Sequence, residues 1–161
     1  MKPIQVPFQI IEIEDLEELS PEEQKLIEHS RKMTNNAYAP YSRFFVGAAI
    51  LLENGEIIMG SNQENAAYPS GLCAERVAIF SASANFPGMK IKAIAVSARS
   101  HKNKLDYPVS PCGACRQVLL EYEFNQKESI KLLLSGTSGK IYMVEKVRDL
   151  LPLSFTADDL G

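Results

Sequence analysis

Apolar and polar positions change period several times along this chain, and each change marks an element. Residues 4–14 (Ile4 to Glu14) read as an extended, half-apolar strand or arm. Ser20-Pro21-Glu22-Glu23 is a helix start, with Ser20 as N-cap, Pro21 in the first turn and Glu23 closing a capping box. The helix is predicted to run to about Asn36, with Leu26, Ile27, Met33 and Ala37 as a modest apolar stripe. Tyr38 to Ser42 is a loop, because Pro40 disfavours helical geometry at the residue before it. Phe44 to Leu52 is an unbroken apolar run, as expected of a strand buried on both faces. Asn54-Gly55 then signals a hairpin, and Glu56 to Asn62 returns as the paired strand.

Helical spacing resumes from Cys73 to Asn85, with Ala74, Val77, Ala78, Phe80 and Ala82 along it. Lys90 to Ser97 is a third strand, a second crossover helix spans about Cys112 to Asn125, and Ile130 to Ser135 is a fourth strand. Ile141 to Val144 is a short fifth strand, followed by a short helix from Lys146 to Leu151 that Pro152 stops. Alternating strands and helices of these lengths predict an α/β sheet covered by helices on both faces.

Composition narrows the function. A chain of 161 residues is most simply one domain, and residues 1–20 precede the regular alternation as an N-terminal extension. Hydrophobic content of 45% and charged content of 23% are ordinary for a globular protein. The net charge of −3 argues against a nucleic-acid partner. The densest basic stretch, Ser100 to Lys104, is short and reads as a loop. A small-molecule substrate is therefore expected. No apolar run is long enough for a bilayer, and the N-terminus lacks a basic segment followed by an apolar one. Three cysteines without a secretory signal do not make a disulfide framework, so a cytoplasmic location is expected.

All three cysteines fall in two short segments, Cys73-Ala74-Glu75-Arg76 and Pro111-Cys112-Gly113-Ala114-Cys115-Arg116-Gln117. Three thiolates can fill three corners of a zinc tetrahedron and leave the fourth open, as catalytic sites require. Glu75 is not needed as a ligand and is free to move protons. Cys112 and Cys115, three apart, share one helical face. Two helix N-termini meeting at one point would bring Cys73 to them and favour thiolate. Two rival readings remain beside this one. A thiol–disulfide site at Cys112 and Cys115 leaves Cys73 and Glu75 unexplained. A purely structural zinc module needs a fourth ligand, and neither His29 nor His101 lies in a ligand-spaced motif. Taken alone, Phe44 reads as core, Asn62 and Glu64 as strand-end turn residues, Arg76 and Arg116 as surface cations, and Phe155 as a packed tail.

Together the motifs Tyr41 to Ala49, Asn62 to Ala66, Cys73 to Arg76 and Ser110 to Gln117 resemble the small homotetrameric zinc-dependent cytidine deaminases, in order and at that family's spacing over roughly residues 25–157. The resemblance implies a three-layer α/β/α cytidine deaminase-like fold with a mixed five-stranded sheet. It implies one Zn²⁺ per chain on Cys73, Cys112 and Cys115, with Glu75 as proton shuttle. Asn62 and Glu64 would hold the ribose hydroxyls, while Phe44 and Ala74 would contact the substrate. Arg76 would donate to the thiolate sulfurs and offset their charge. Phe155 would reach a neighbouring subunit's site in a homotetramer with shared active sites. The implied reaction is hydrolytic deamination of cytidine and 2′-deoxycytidine in pyrimidine salvage, with a nucleoside antibiotic of the blasticidin S type as the alternative substrate. Tyr68 to Leu72 and the bulky Phe45 depart from the family pattern, and the N-terminal twenty or so residues lie outside it.

Overall fold

The computed structural model describes residues 1–101 and 105–161, so residues 102–104 of the basic stretch lie outside the described residues. Strands β1 (Ile11–Ile13), β2 (Phe44–Leu52), β3 (Ile57–Ser61), β4 (Ile91–Ser100), β5 (Lys131–Ser135) and β6 (Ile141–Val144) form one sheet in the order β1-β6-β5-β4-β2-β3. Helices α1 (Pro21–Met33), α2 (Ala74–Asn85) and α3 (Gly113–Gln126) cover it. The sheet is mixed: β4 and β5 are parallel, and the other neighbours are antiparallel.

The expected five-stranded sheet has six strands. The sixth comes from the arm, where Ile11 and Ile13 alternate with Glu12 and pair antiparallel with Met143 and Ile141. Ile13 is buried and packs with Leu26, Ile27 and Ile141, so a three-residue strand is held by its side chains as well as its ladder. Smaller differences are local. The first helix ends at Met33 and tightens into a 3₁₀ turn, Thr34–Asn36. The segment after β6 is a 3₁₀ turn, Val147–Leu150, and a further one spans Ala157–Leu160. β4 runs to Ser100, because its last residues pair with Phe44 and Phe45.

Alternation divides the core into two layers. Ala49, Leu51, Ala95 and Leu133 face α1, where they meet Leu26 and Ile27. Ala48, Ile50, Val96 and Leu134 face the opposite way and pack with Ala78 and Ile79 of α2 and Leu119 of α3. Two glycines set the depth of the helices. A Cβ at Gly47 would lie 2.1 Å from Ser30 O on α1. A Cβ at Gly60 would lie 2.5 Å from Ala78 N and 2.7 Å from Ala74 O on α2. Gly60 therefore fixes where the first turn of α2 sits on the sheet. Among the described residues, no helix is long and apolar enough to cross a membrane.

Candidate active site

Cys73 and Cys112 are the N-caps of α2 and α3, both in extended geometry, and Cys115 lies in the first turn of α3. The parallel pair β4–β5 needs a crossover, and α3 supplies it. The N-terminus of α3 thereby comes beside that of α2. The three sulfurs all lie within 4.8 Å of one another, at 3.8 Å for Cys73 to Cys112 and 3.5 Å for Cys112 to Cys115. Thiolates about 2.3 Å from a tetrahedral zinc lie roughly 3.8 Å apart, so the donor set fits that ion.

The electrostatics agree. Cys115 shares a hydrogen bond with Cys73 and, with help from Arg76 and Cys112, draws the Cys73 thiol down to about 5 against the cost of burial. The same contact, burial and the Glu75 carboxylate push Cys115 up. Three sulfurs at this spacing cannot all ionise without a cation among them. Arg76 Nη2 donates to Cys73 Sγ at 3.7 Å, while its Nε is buried with no hydrogen-bond partner among the described residues. Glu75 follows at the second position of α2 and is 5% exposed. Burial pushes its carboxyl above the usual range and the Cys73 charge adds to that, while its own N–H, Cys115 and Arg76 oppose the shift.

A cavity of about 540 Å³ opens beside Cys73, lined among others by Tyr41, Asn62, Glu64, Tyr68, Leu72 and Arg76. Glu64 is held firmly: Oε2 accepts from Tyr41 N (2.9 Å) and Ser42 N (3.3 Å), and Oε1 accepts from Ser42 Oγ (2.5 Å). Burial raises its proton affinity, but these three donors outweigh that and lower its pKa. Arg43 follows with φ of 54°, a left-handed turn that leads directly into β2. Asn62 sits just beyond β3, where its Oδ1 accepts from Val46 N (2.8 Å) and its Nδ2 donates to Phe44 O (2.9 Å).

The structure thus brings Asn62, Glu64, Cys73 and Arg76 around one cavity. Phe44 joins through its backbone, and Ala74 and Glu75 through their place after Cys73. Phe155 does not line the cavity; it is 57% exposed, and its carbonyl accepts from Gln117 Nε2 at 2.9 Å. Two residues gain weight over their sequence reading. Ser42, read as loop and as part of the Tyr41 to Ala49 motif but given no role of its own, bonds Glu64. Arg116, read as a surface cation, donates from Nε to Pro111 O (2.9 Å) and from Nη1 to Leu150 O (3.1 Å). The bulky Phe45 is accommodated under the Arg99 guanidinium, 4.1 Å from the ring centroid.

Residues 20–128 match the family model of the cytidine and deoxycytidylate deaminase zinc-binding region. The chain belongs to the cytidine deaminase family. It is 44% identical over 139 residues to the cytidine deaminase of Sporosarcina psychrophila, covering 86% of this chain and 94% of that one. The cytidine deaminase of Halalkalibacterium halodurans is 42% identical over 139 residues, covering 86% and 97%. The crystal structure of cytidine deaminase from Burkholderia pseudomallei superposes with a TM-score of 0.71 at 41% identity, covering 81% of this chain and 97% of that chain. The matched zinc-binding region includes the three clustered cysteines, which could hold a metal ion, and the chain is an enzyme of this zinc-dependent type.

Proposed function

We propose that this chain hydrolytically deaminates cytidine and 2′-deoxycytidine to uridine and 2′-deoxyuridine. The observation that carries the reading is a buried carboxyl with raised proton affinity, Glu75, two residues after Cys73, which belongs to a three-cysteine cluster and lines the cavity. Cys73, Cys112 and Cys115 hold the zinc, which when bound supplies the Lewis acid that acidifies water. Glu75 takes a proton from the attacking water and delivers it to ring N3, which prepares C4 for addition. It then carries a proton to the departing amino group, so that ammonia leaves. One carboxyl serves as base and then as acid because it gains and loses a proton in turn. Arg76 donates toward Cys73 and offsets the surplus thiolate charge. Phe44 and the first turn of α2 at Ala74 contact the base.

The hydrogen-bond inventory supports both sugars. A carboxylate offers about four acceptor positions, and three in-chain donors occupy Glu64. Asn62 commits its oxygen to Val46 and one N–H to Phe44, which leaves one N–H. The remaining Glu64 acceptor and the remaining Asn62 N–H can serve one hydroxyl, which donates to the first and accepts from the second. A hydroxyl common to ribose and 2′-deoxyribose satisfies both groups.

Apolar residues exposed on the single chain, Leu153 at 99% and Phe155 at 57%, support a homotetramer in which the C-terminal segment completes a neighbouring site. The cytoplasm is the proposed location, and residues 1–161 are proposed to act as one domain. The test is loss of the cytosine ultraviolet band on mixing with cytidine, 2′-deoxycytidine or 2′,3′-dideoxycytidine, with zinc measured per chain. Turnover of the first two, a sharp loss with the third and about one zinc per chain are expected. Zinc without turnover of either nucleoside would overturn the substrate and move it to other aminated heterocycles.

A further inference from the structure

The N-terminal arm is unused by the chemistry above, and its pattern is specific. Ile4, Val6, Phe8 and Ile10 alternate with Pro3, Gln5, Pro7 and Gln9, and residues 1–10 are all exposed. The four apolar side chains are 87%, 55%, 47% and 44% exposed, so this face is not packed on its own chain. The arm runs straight into β1, an edge strand whose outer side carries no neighbour among the described residues. Such an edge is a template for a further strand.

We propose that the arms of two copies of this chain pair antiparallel over residues 2–12, centred on Pro7. Three features select this register. First, Lys2 and Glu12 are the only charged residues in the segment. Centring on Pro7 sets each opposite the other copy's counterpart, and no other register does so. Glu12 and Glu14 share Lys140 at 2.6 and 2.9 Å, two carboxylates for one ammonium, so this edge can take a further cation. Second, the apolar residues then meet in kind: Ile4 faces Ile10 of the second copy, Val6 faces Phe8, and Gln5 faces Gln9. These are the cross-strand pairs that stabilise antiparallel strands. Third, successive N–H groups of an extended strand point to opposite edges. Both prolines fall on odd positions. The even edge keeps every donor, whereas pairing through the odd edge would lose two. The contact is isologous, the same patch on both copies, and so closes on itself. It joins two sheets through the arms that lead into their β1 strands and acts independently of the catalytic assignment.

The test uses the full-length zinc-loaded protein under mild oxidation, followed as covalent dimer on non-reducing gels. Residue 7 faces residue 7 of the second copy, within disulfide reach, whereas residue 5 faces residue 9. Pro7→Cys is therefore expected to link copies at least about tenfold faster than Gln5→Cys or Gln9→Cys, given the roughly 3.4 Å offset per strand residue. The double variant Gln5→Cys/Gln9→Cys is expected to link as fast as Pro7→Cys. Adding Phe8→Asp to Pro7→Cys is expected to return linking to the parent's rate, with zinc content and turnover unchanged. Linking at Pro7→Cys no faster than the parent, or equal rates at all three single positions, would overturn the proposal. So would a double variant that links no faster than its singles.

Discussion

Two buried carboxylates sit in the same helical layer, one at each end, and they are treated in opposite ways. Glu123, near the end of α3, is fully buried and saturated. It accepts from Ile130 N (2.8 Å), Val147 N (3.0 Å), Arg148 N (3.3 Å) and Arg148 Nε (2.5 Å). Glu75, at the start of α2, is almost as buried, but burial and the Cys73 charge outweigh the groups that favour its ionised form. A saturated carboxylate ties three segments of chain together. An under-satisfied one stores proton affinity that a reaction can use. One end of the layer is thus built to be fixed and the other to exchange protons.

The sharpest way to break the contrast is to remove the proton exchange and leave the shape. Glu75→Gln is expected to lower turnover by about 10²–10⁴-fold, the usual weight of one general acid–base group. Zinc content is expected to stay at the parent's level, read by metal analysis on the sample used for the rate. Loss of zinc along with the activity would mean that Glu75 holds the metal cluster together instead. The reciprocal change is Glu123→Gln, which sets an amide nitrogen against backbone N–H groups and leaves Arg148 without its anion. We expect a loss of roughly 3 kcal/mol in unfolding by denaturant, with kcat per folded molecule near the parent's. A fall in kcat at full folding would show that the two ends are coupled.

The sequence disclosed the active end better than the fixed end, for a physical reason. Chemistry at a metal needs particular residue types, and Cys73, Glu75, Cys112 and Cys115 carry that requirement in two short segments. The long apolar run of β2 and the Asn54-Gly55 turn were likewise legible, because burial on both faces and a tight hairpin each leave a local mark. Glu123 left none. Its partners lie 7, 24 and 25 residues away, and a glutamate within a helix otherwise reads as solvated. Arg116 was missed similarly, since its acceptors are backbone carbonyls whose identity no side chain reports. The sixth strand was visible as an extended segment, but its pairing with β6 depends on a contact across nearly the whole chain. Ser42 lies in the Tyr41 to Ala49 motif, but it bonds a residue 22 positions on, and nothing local assigns it that partner.

Arg116 lies between the two ends and sharpens the comparison. One arm of its guanidinium braces the carbonyl before Cys112, and the other braces Leu150 in the turn that Glu123 also anchors. Removing it should loosen the Cys112 corner without emptying the core. Arg116→Ala is expected to weaken zinc binding by about 10–100-fold, the range for groups that orient metal ligands. Competition with a chelator reads this, and kcat should recover at saturating zinc. Arg116→Lys should recover little, because an ammonium lacks the planar fork that reaches two carbonyls at once. If Arg116→Ala unfolds the protein but leaves zinc affinity untouched, the arginine belongs with Glu123 alone.

Glu23 supplies the smallest effect and an intermediate case, a partly exposed carboxylate with both a cation and a cap. Burial alone would raise its pKa. The Lys131 ammonium at 2.7 Å and the Ser20 hydroxyl and N–H more than reverse that, so the folded pKa is lowered. A depressed folded pKa means that the unfolded chain binds the proton first as pH falls. The stability Glu23 contributes is therefore fully present above the ordinary carboxylate range and is lost as pH falls through its lowered folded value. Glu23→Gln is expected to cost about 1 kcal/mol at neutral pH. The gap to the parent should narrow as pH falls through the ordinary carboxylate range, where the unfolded chain takes up the proton first, and should close below the lowered folded value. A gap for Glu23→Gln that did not change with pH would show that its hydrogen bonds, and not its charge, tie α1 to β5.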